Sequence, residues 1–250
     1  MDRYAEILKT YEATITTDIE RRLQFIRDRV QGAGAQGAVV GLSGGIDSAV
    51  VMALLVKALG PKRVAALWLP IESDPRHARD AEAVAHTFGL TLHTVDLIKP
   101  YQAMVDVLHD VVTPNRSHTG NIKARLRMIA LYAYANAFGY LVSDTSNRSE
   151  LYVGYITKGG DAVADFNPLA SLVKAQVRIL AQHLRIPETV IEKPPSADLF
   201  PGQVDEDELG VSYAQLDRYL LTGEGDPDVI RRIEHLHAIS RHKREPMPSI

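Results

Sequence analysis

The stretch Val39-Val40-Gly41-Leu42-Ser43-Gly44-Gly45-Ile46-Asp47-Ser48 decides how the rest of the chain is read. An apolar run ends at Leu42, small residues follow, and a helical pattern begins after Asp47. A strand that feeds a Gly-rich turn and then a helix is a phosphate-binding arrangement. Glycines let the backbone approach an anion, and the free N–H groups of the first helical turn point at it. Ser43 and Ser48 add hydroxyl donors. Asp47 repels phosphate and makes chemical sense beside such a turn if a divalent cation lies between them.

The turn lacks the lysine of the G-x-x-x-x-G-K-[ST] nucleotide loop. Its S-G-G-x-D-S form instead resembles the pyrophosphate loop of the ATP pyrophosphatases, which split ATP between its α- and β-phosphates and use the AMP half to activate a substrate oxygen. The alternative is an ordinary Gly turn between strand and helix.

At 250 residues the chain is long enough for a full core. Its 46% hydrophobic and 24% charged content is that of a soluble globular protein. With 28 basic and 31 acidic residues the formal charge is -3, which speaks against nucleic-acid binding by bulk electrostatics. There is no cysteine, so disulfides, thiolate catalysis and Cys-ligated zinc are excluded. No apolar run approaches the roughly 20 residues of a membrane span, and Met1 to Thr10 lacks the apolar centre of a signal peptide. A cytoplasmic protein without membrane or nucleic-acid partners is expected.

Working outward, Ile7, Tyr11, Ile15, Ile19, Leu23, Ile26 and Val30 form one stripe and predict a long N-terminal helix over residues 1–30. Strands are expected at Ala38 to Leu42, Arg63 to Leu69, Thr91 to Val95 and Tyr140 to Val142. Helices are expected after the phosphate turn, at His77 to Phe88, and at Asn121 to Phe138. Short links between alternating strands and helices predict an α/β fold, a doubly wound parallel sheet with helices on both faces. Ligands then sit beyond the carboxyl ends of the strands, where strand order reverses. The phosphate turn, the Leu69-to-Ser73 loop, Asp96 and Ser143 to Ser146 should line one pocket.

On the helix from Asn121, the spacing gives Ile122, Leu126, Ile129 and Ala133 as the apolar face and puts Arg125, Met128 and Tyr132 on another. Arg127 points about 200° away from Arg125. One domain is expected over 1–250, with the nucleotide-binding core at 36–150 and substrate-binding loops and helices at 151–250. Within the latter, Glu192 to Asp207 reads as a mobile loop or lid. Helices are expected at Val173 to Leu184, Tyr213 to Leu221 and Asp228 to Ser240. The tail Arg241-His242-Lys243-Arg244 is basic.

The second half separates the pyrophosphatase families. Asn121-Ile122-Lys123-Ala124-Arg125-Leu126-Arg127-Met128, Thr145-Ser146-Asn147-Arg148-Ser149-Glu150 and Gly154-Tyr155-Ile156-Thr157-Lys158-Gly159-Gly160-Asp161 resemble motifs of the NAD synthetases. So do Asp165 with Asn167-Pro168-Leu169, Lys174, Pro195-Ser196-Ala197-Asp198-Leu199, Asp205-Glu206, Glu208-Leu209-Gly210, Tyr213 and His242-Lys243-Arg244. The likeness runs in order over most of the chain. It implies an adenine nucleotide alpha hydrolase-like, or Rossmann-like, fold. It also implies an ammonia-dependent ligase: ATP adenylates the nicotinate carboxylate of deamido-NAD, pyrophosphate leaves, and ammonia attacks the acyl-adenylate to give NAD and AMP.

The same resemblance assigns Gly41, Leu42, Ser43, Gly44, Gly45, Ile46, Asp47 and Ser48, with Thr145, Lys174 and Ser196, to ATP. Asp47 and Glu150 become Mg²⁺ ligands. Arg125, Tyr132, Lys158, Asp165, His242 and Lys243 fall to deamido-NAD. Asp47, Lys174 and Asp161 are the catalytic candidates, Asp161 for handling ammonium. Lys174 opens a helix, where a cation is disfavoured by the dipole, so a phosphate is its expected partner. The family usually places Gly before the Thr at 145, whereas this chain has Asp144; its side chain would crowd the nucleotide or point away. A glutaminase domain needs a cysteine nucleophile, so free ammonia or ammonia from another protein is the expected donor. The resemblance further implies a homodimer. The competing readings are another ATP pyrophosphatase, tRNA-modifying or GMP-forming, and a non-catalytic nucleotide-binding module.

Overall fold

The structure is a computed structural model that describes residues 2–113, 115–196, 198–200 and 202–249, apart from the side chain of Arg116. Ala197 of the Pro195–Leu199 motif lies outside the described residues. The expected long N-terminal helix is two helices, α1 (Arg3–Ala13) and α2 (Ile15–Gly32). The break has a local cause: Thr14 turns its hydroxyl back onto the Thr10 carbonyl at 3.0 Å. It also starts a run of β-branched residues, Thr14-Ile15-Thr16-Thr17, that propagates a helix poorly. The stripe survives in α2, whose Ile15, Leu23, Ile26 and Val30 are buried.

Strand β1 (Gly37–Gly41) is followed by α3 (Ile46–Leu59), β2 (Val64–Trp68), α4 (Pro75–Thr87), β3 (Leu92–Thr94), α5 (Ile98–Leu108), α6 (Arg116–Phe138) and β4 (Tyr140–Val142). The four strands form one sheet in the order β3-β2-β1-β4, and every pairing is parallel. The two central strands are apolar throughout because both faces are covered. Ala38 and Val40 pack with α2 and α3 on one face. Val39 faces the other, with Tyr101 of α5 and Ala135 of α6. Gly37 is required where it stands, since a Cβ there would meet the Arg63 carbonyl oxygen at 2.2 Å.

Strand order runs outward from β1 through β2 to β3 and then jumps to β4 on the opposite side of β1. The switch point therefore lies between the carboxyl ends of β1 and β4. Two corrections concern α6. It begins at Arg116, one turn and more before Asn121. Its expected apolar face is rotated: Ile129 is 57% exposed, while Lys123, Ala124 and Ala135 are buried. The periodicity missed this because a cation, Lys123, occupies an inner position, its ammonium 2.8 Å from Glu72 and over the Tyr101 ring.

The remaining chain wraps the switch point with α7 (Arg148–Val153), α8 (Lys174–His183), α9 (Glu188–Ile191), α10 (Asp205–Leu209), α11 (Tyr213–Thr222) and α12 (Pro227–Ile239). A small second core of Val153, Leu209, Val211, Leu216 and Ile233 joins α7 to α10, α11 and α12. The basic tail is docked rather than frayed: the Lys243 ammonium donates to the carbonyls of Gly154 and Ile156, both at 2.8 Å.

Candidate active site

A cavity of about 430 Å³ opens at the switch point. The phosphate turn forms its floor. Gly44 has φ +74°, and a Cβ there would meet the His77 carbonyl oxygen at 2.4 Å, so only glycine serves. The Ser48 hydroxyl donates to the Gly45 carbonyl at 3.0 Å and accepts from the Ser43 amide at 3.2 Å. The Ser43 hydroxyl accepts from the Gly45 amide at 3.3 Å. These bonds hold the turn open, and no side chain caps the N-terminus of α3. Its first amides and its positive dipole end face the cavity, as an anion site requires.

Asp47 and Glu150, 103 positions apart in sequence, meet at one cation. The Lys174 ammonium donates to Asp47 Oδ2 at 2.5 Å and to Glu150 Oε1 at 3.3 Å. Two carboxylates thus share the Lys174 ammonium. Asn147 fixes both acids: its amide nitrogen donates to Asp47 Oδ1 at 3.0 Å, and its backbone N–H donates to Glu150 Oε2 at 3.0 Å in the capping box of α7. Tyr213 completes the cluster, its hydroxyl 3.3 Å from Glu150 Oε1 and its ring 5.0 Å from the Lys174 ammonium. Burial raises the Glu150 carboxyl well above its usual range, against the pull of Lys174. Burial also works against the Lys174 charge, but Asp47 and Glu150 outweigh it and keep the ammonium protonated. The spot attracts positive charge and presents hard oxygen donors, which suits Mg²⁺. Among the described residues no cluster of three or more His, Cys, Asp or Glu forms a ready-made metal cage. Phosphate oxygens and water would have to fill the remaining positions of a cation held by Asp47 and Glu150.

Thr145, Ser196, Asp161 and Lys243 line the same cavity. Asp161 accepts from the Thr157 amide at 2.9 Å. Its side chain is open to the cavity but ringed by protein, and the poor solvation raises its pKa above the ordinary aspartate range. Asp144 folds back on its own turn. Its Oδ1 accepts from the Thr145 amide at 2.6 Å, the Ser146 amide at 2.8 Å and the Ser146 hydroxyl at 2.8 Å, and its Oδ2 accepts from Asn167 at 2.7 Å.

Gly44, turned toward α4, does not line the cavity, and neither do five other expected site residues: Arg125, Tyr132, Lys158, Asp165 and His242. Arg125 donates to the Lys158 carbonyl at 3.1 Å, and Lys158 donates to the His242 carbonyl at 3.0 Å. Asp165 accepts from the Val142 amide at 2.7 Å and from the Tyr132 hydroxyl at 3.3 Å, which closes the edge of β4. Asp96, expected at the pocket, instead accepts from the Ile98 amide at the start of α5, on the far edge of the sheet. Residues the sequence reading passed over do reach the cavity: Arg127, His77 and Lys193. Lys193, which lines the cavity, donates to Asp80 at 2.7 Å and to His77 at 3.0 Å, tying its segment to α4 beside the phosphate turn.

With this geometry in place, comparison with known proteins is decisive. The sequence model of the NAD synthase family matches residues 18–247. The chain belongs to the NAD synthase family. A relative from Syntrophomonas wolfei, an NH(3)-dependent NAD(+) synthetase, is 44% identical over 230 residues, covering 90% of this chain and 92% of its own. Among solved structures, an NMN synthetase from Francisella tularensis superimposes with a TM-score of 0.90 at 36% identity, over 94% of this chain and 98% of its own. An NH3-dependent NAD synthetase from Campylobacter jejuni, in complex with the nitrate ion, gives a TM-score of 0.78 at 32% identity, over 94% and 97%. The parallel sheet and the S-G-G-x-D-S turn are thus those of a NAD synthase, and the tRNA-modifying and GMP-forming readings give way.

Proposed function

We propose that the protein amidates deamido-NAD to NAD with ATP and ammonia. The meeting of Asp47 and Glu150 at Lys174, beside an uncapped helix N-terminus, carries this reading. The difficulty of the first step is charge crowding, because a nicotinate carboxylate must approach the anionic α-phosphate. The phosphate turn binds the outer phosphates through its amides and serine hydroxyls, and Lys174 supplies positive charge where the leaving pyrophosphate forms. Mg²⁺, held by Asp47 and Glu150 together with phosphate oxygens, would neutralise charge on the leaving group. The carboxylate oxygen bonds to the α-phosphorus as the α–β bridge bond breaks. Ammonia then attacks the acyl carbon, a proton passes to Asp161, and AMP leaves with the bonding pair. Asp161 suits this role because a raised pKa favours taking up a proton.

A second reading concerns the substrate. The likeness to the Francisella NMN synthetase favours a mononucleotide, nicotinate mononucleotide, as the acid that is amidated. The off-cavity position of Arg125, Tyr132, Lys158, Asp165 and His242, assigned to the larger dinucleotide, points the same way. One assay decides: ATP, Mg²⁺ and ammonium are combined with either acid, and AMP and amide are measured. Higher kcat/KM with deamido-NAD supports the first reading, higher kcat/KM with the mononucleotide the second, and no AMP with either defeats both. Glutamine in place of ammonium should give no product. We also propose a homodimer through the outer face of α6, where Ile129 is more than half exposed; a sedimentation mass of one chain would exclude it.

A further inference from the structure

Four cations line or abut the cavity wall, and three are satisfied. Lys174 sits between Asp47 and Glu150, Lys193 pairs with Asp80 at 2.7 Å, and Lys243 is closed by two carbonyls at 2.8 Å. Arg127 differs. Its Nε donates to the Leu69 carbonyl at 3.1 Å and its Nη2 reaches the Ser73 hydroxyl at 3.4 Å, both neutral acceptors. Among the described residues no carboxylate lies within ion-pair distance of it, and Nη1, unbonded to them, opens to the cavity. A guanidinium drawn into protein without a counter-ion is unfavourable, and such charges are normally paired. Burial works against the Arg127 charge, with Asp198 and Asp161 offsetting it only from a distance.

We propose that Arg127 is an anion-binding residue of this site, its free guanidinium edge receiving an oxyanion, either the triphosphate of ATP or the nicotinate carboxylate of the acid substrate. The proposal rests on the amidation reading above and names a contact within it. Arg125 and Arg127 share a motif, but the helical repeat sends them to opposite sides. Arg125 reaches a loop carbonyl outside the cavity, whereas Arg127 faces the cavity with donors to spare. The anchoring of Nε and Nη2 fixes the plane of the fork, so the edge that remains is oriented before the anion arrives. A planar fork of that kind matches a phosphate or carboxylate, which a lysine would meet only as a point charge.

The test compares charged and neutral partners by equilibrium binding. Kd values are measured for ATP against adenosine, and for deamido-NAD against NAD, in wild type and Arg127→Gln. Gln keeps a donor for the Leu69 carbonyl and removes the charge. The expected result is a loss of about 10- to 100-fold in affinity for the charged member of one pair, with the member that lacks the triphosphate or the nicotinate carboxylate unaffected. The pair that responds identifies the oxyanion as the triphosphate or the nicotinate carboxylate. If charged and neutral members weaken together, Arg127 is only a strut for the Leu69–Ser73 loop and the proposal fails; it also fails if neither changes. Should the Gln variant not fold, Arg127→Lys keeps charge without the fork and is expected to show an intermediate loss confined to the same member. Wild-type turnover is measured alongside: absent amidation overturns the functional reading, whereas the binding contrast judges Arg127 alone.

Discussion

Replacing Asp144 tests whether its carboxylate builds the turn that follows β4. In Asp144→Gly, the Thr145 and Ser146 amides and the Ser146 hydroxyl lose this acceptor, and the Asn167 amide loses one of its two, keeping the Ser146 carbonyl at 2.9 Å. A hydrogen bond to a charged group contributes about 1.5–3 kcal/mol, so four would suggest a large loss. Two effects reduce it: water from the cavity can reach some of these donors, and the burial that raises the Asp144 pKa is relieved. A net destabilisation of about 2–3 kcal/mol is expected. Asp144→Asn keeps the Oδ1 contacts but sets an NH2 against the Asn167 NH2. Asn167 cannot simply flip, since its Oδ1 accepts from the Leu169 amide at 2.7 Å. The Asn variant should therefore lose about 1–2 kcal/mol, one buried donor left unmade.

Urea unfolding at pH 7, with m-values compared, measures both variants. The pH dependence has a definite sign. A carboxyl whose folded-state pKa is raised contributes stability below its unfolded pKa and loses it as pH rises through the folded one. The deficit of the Gly variant should therefore grow as pH falls from 7 toward the ordinary aspartate range near 4. A Gly variant within about 0.5 kcal/mol of wild type at pH 7, or a deficit that shrinks on acidification, would refute the assignment of Asp144 to the turn.

Other outcomes follow from the same geometry. Gly37→Ala should destabilise by about 3 kcal/mol or more in thermal or urea unfolding, because its Cβ would enter the Arg63 carbonyl at the β1–β2 pairing. Lys193→Met should release its segment from α4, speeding protease cleavage within residues 192–204 and raising the KM for ATP several-fold; unchanged cleavage would mean the segment is held elsewhere. A chelator should stop AMP release and added Mg²⁺ should restore it, and chelator-resistant turnover would remove the metal from the proposed scheme.

Much of this arrangement was legible in the chain because it is local. Gly44, Ser43 and Ser48 form their turn from contacts within six residues, and the strand–turn–helix pattern around them gave the parallel sheet and its switch point. The pairing of Asp47 with Glu150 came through resemblance, since no spacing encodes their meeting at Lys174 across 103 positions. What escaped was set by tertiary environment. An inner Lys123 rotated the buried face of α6, and Thr14 interrupted a stripe whose period was intact. Arg127 was separated from Arg125 by helical geometry, but nothing in the sequence said which of the two would face the cavity.

The docking of Lys243 on the Gly154 and Ile156 carbonyls has a consequence for biosynthesis. The loop that ends in Asp161 takes its final shape only after Lys243, 82 positions further along, has been made. While Lys243 is still held inside the ribosome, that clamp is missing from the folded part. The ATP-splitting apparatus is therefore left unfinished until Lys243 has emerged, and a product cut before it would lack the part that completes it.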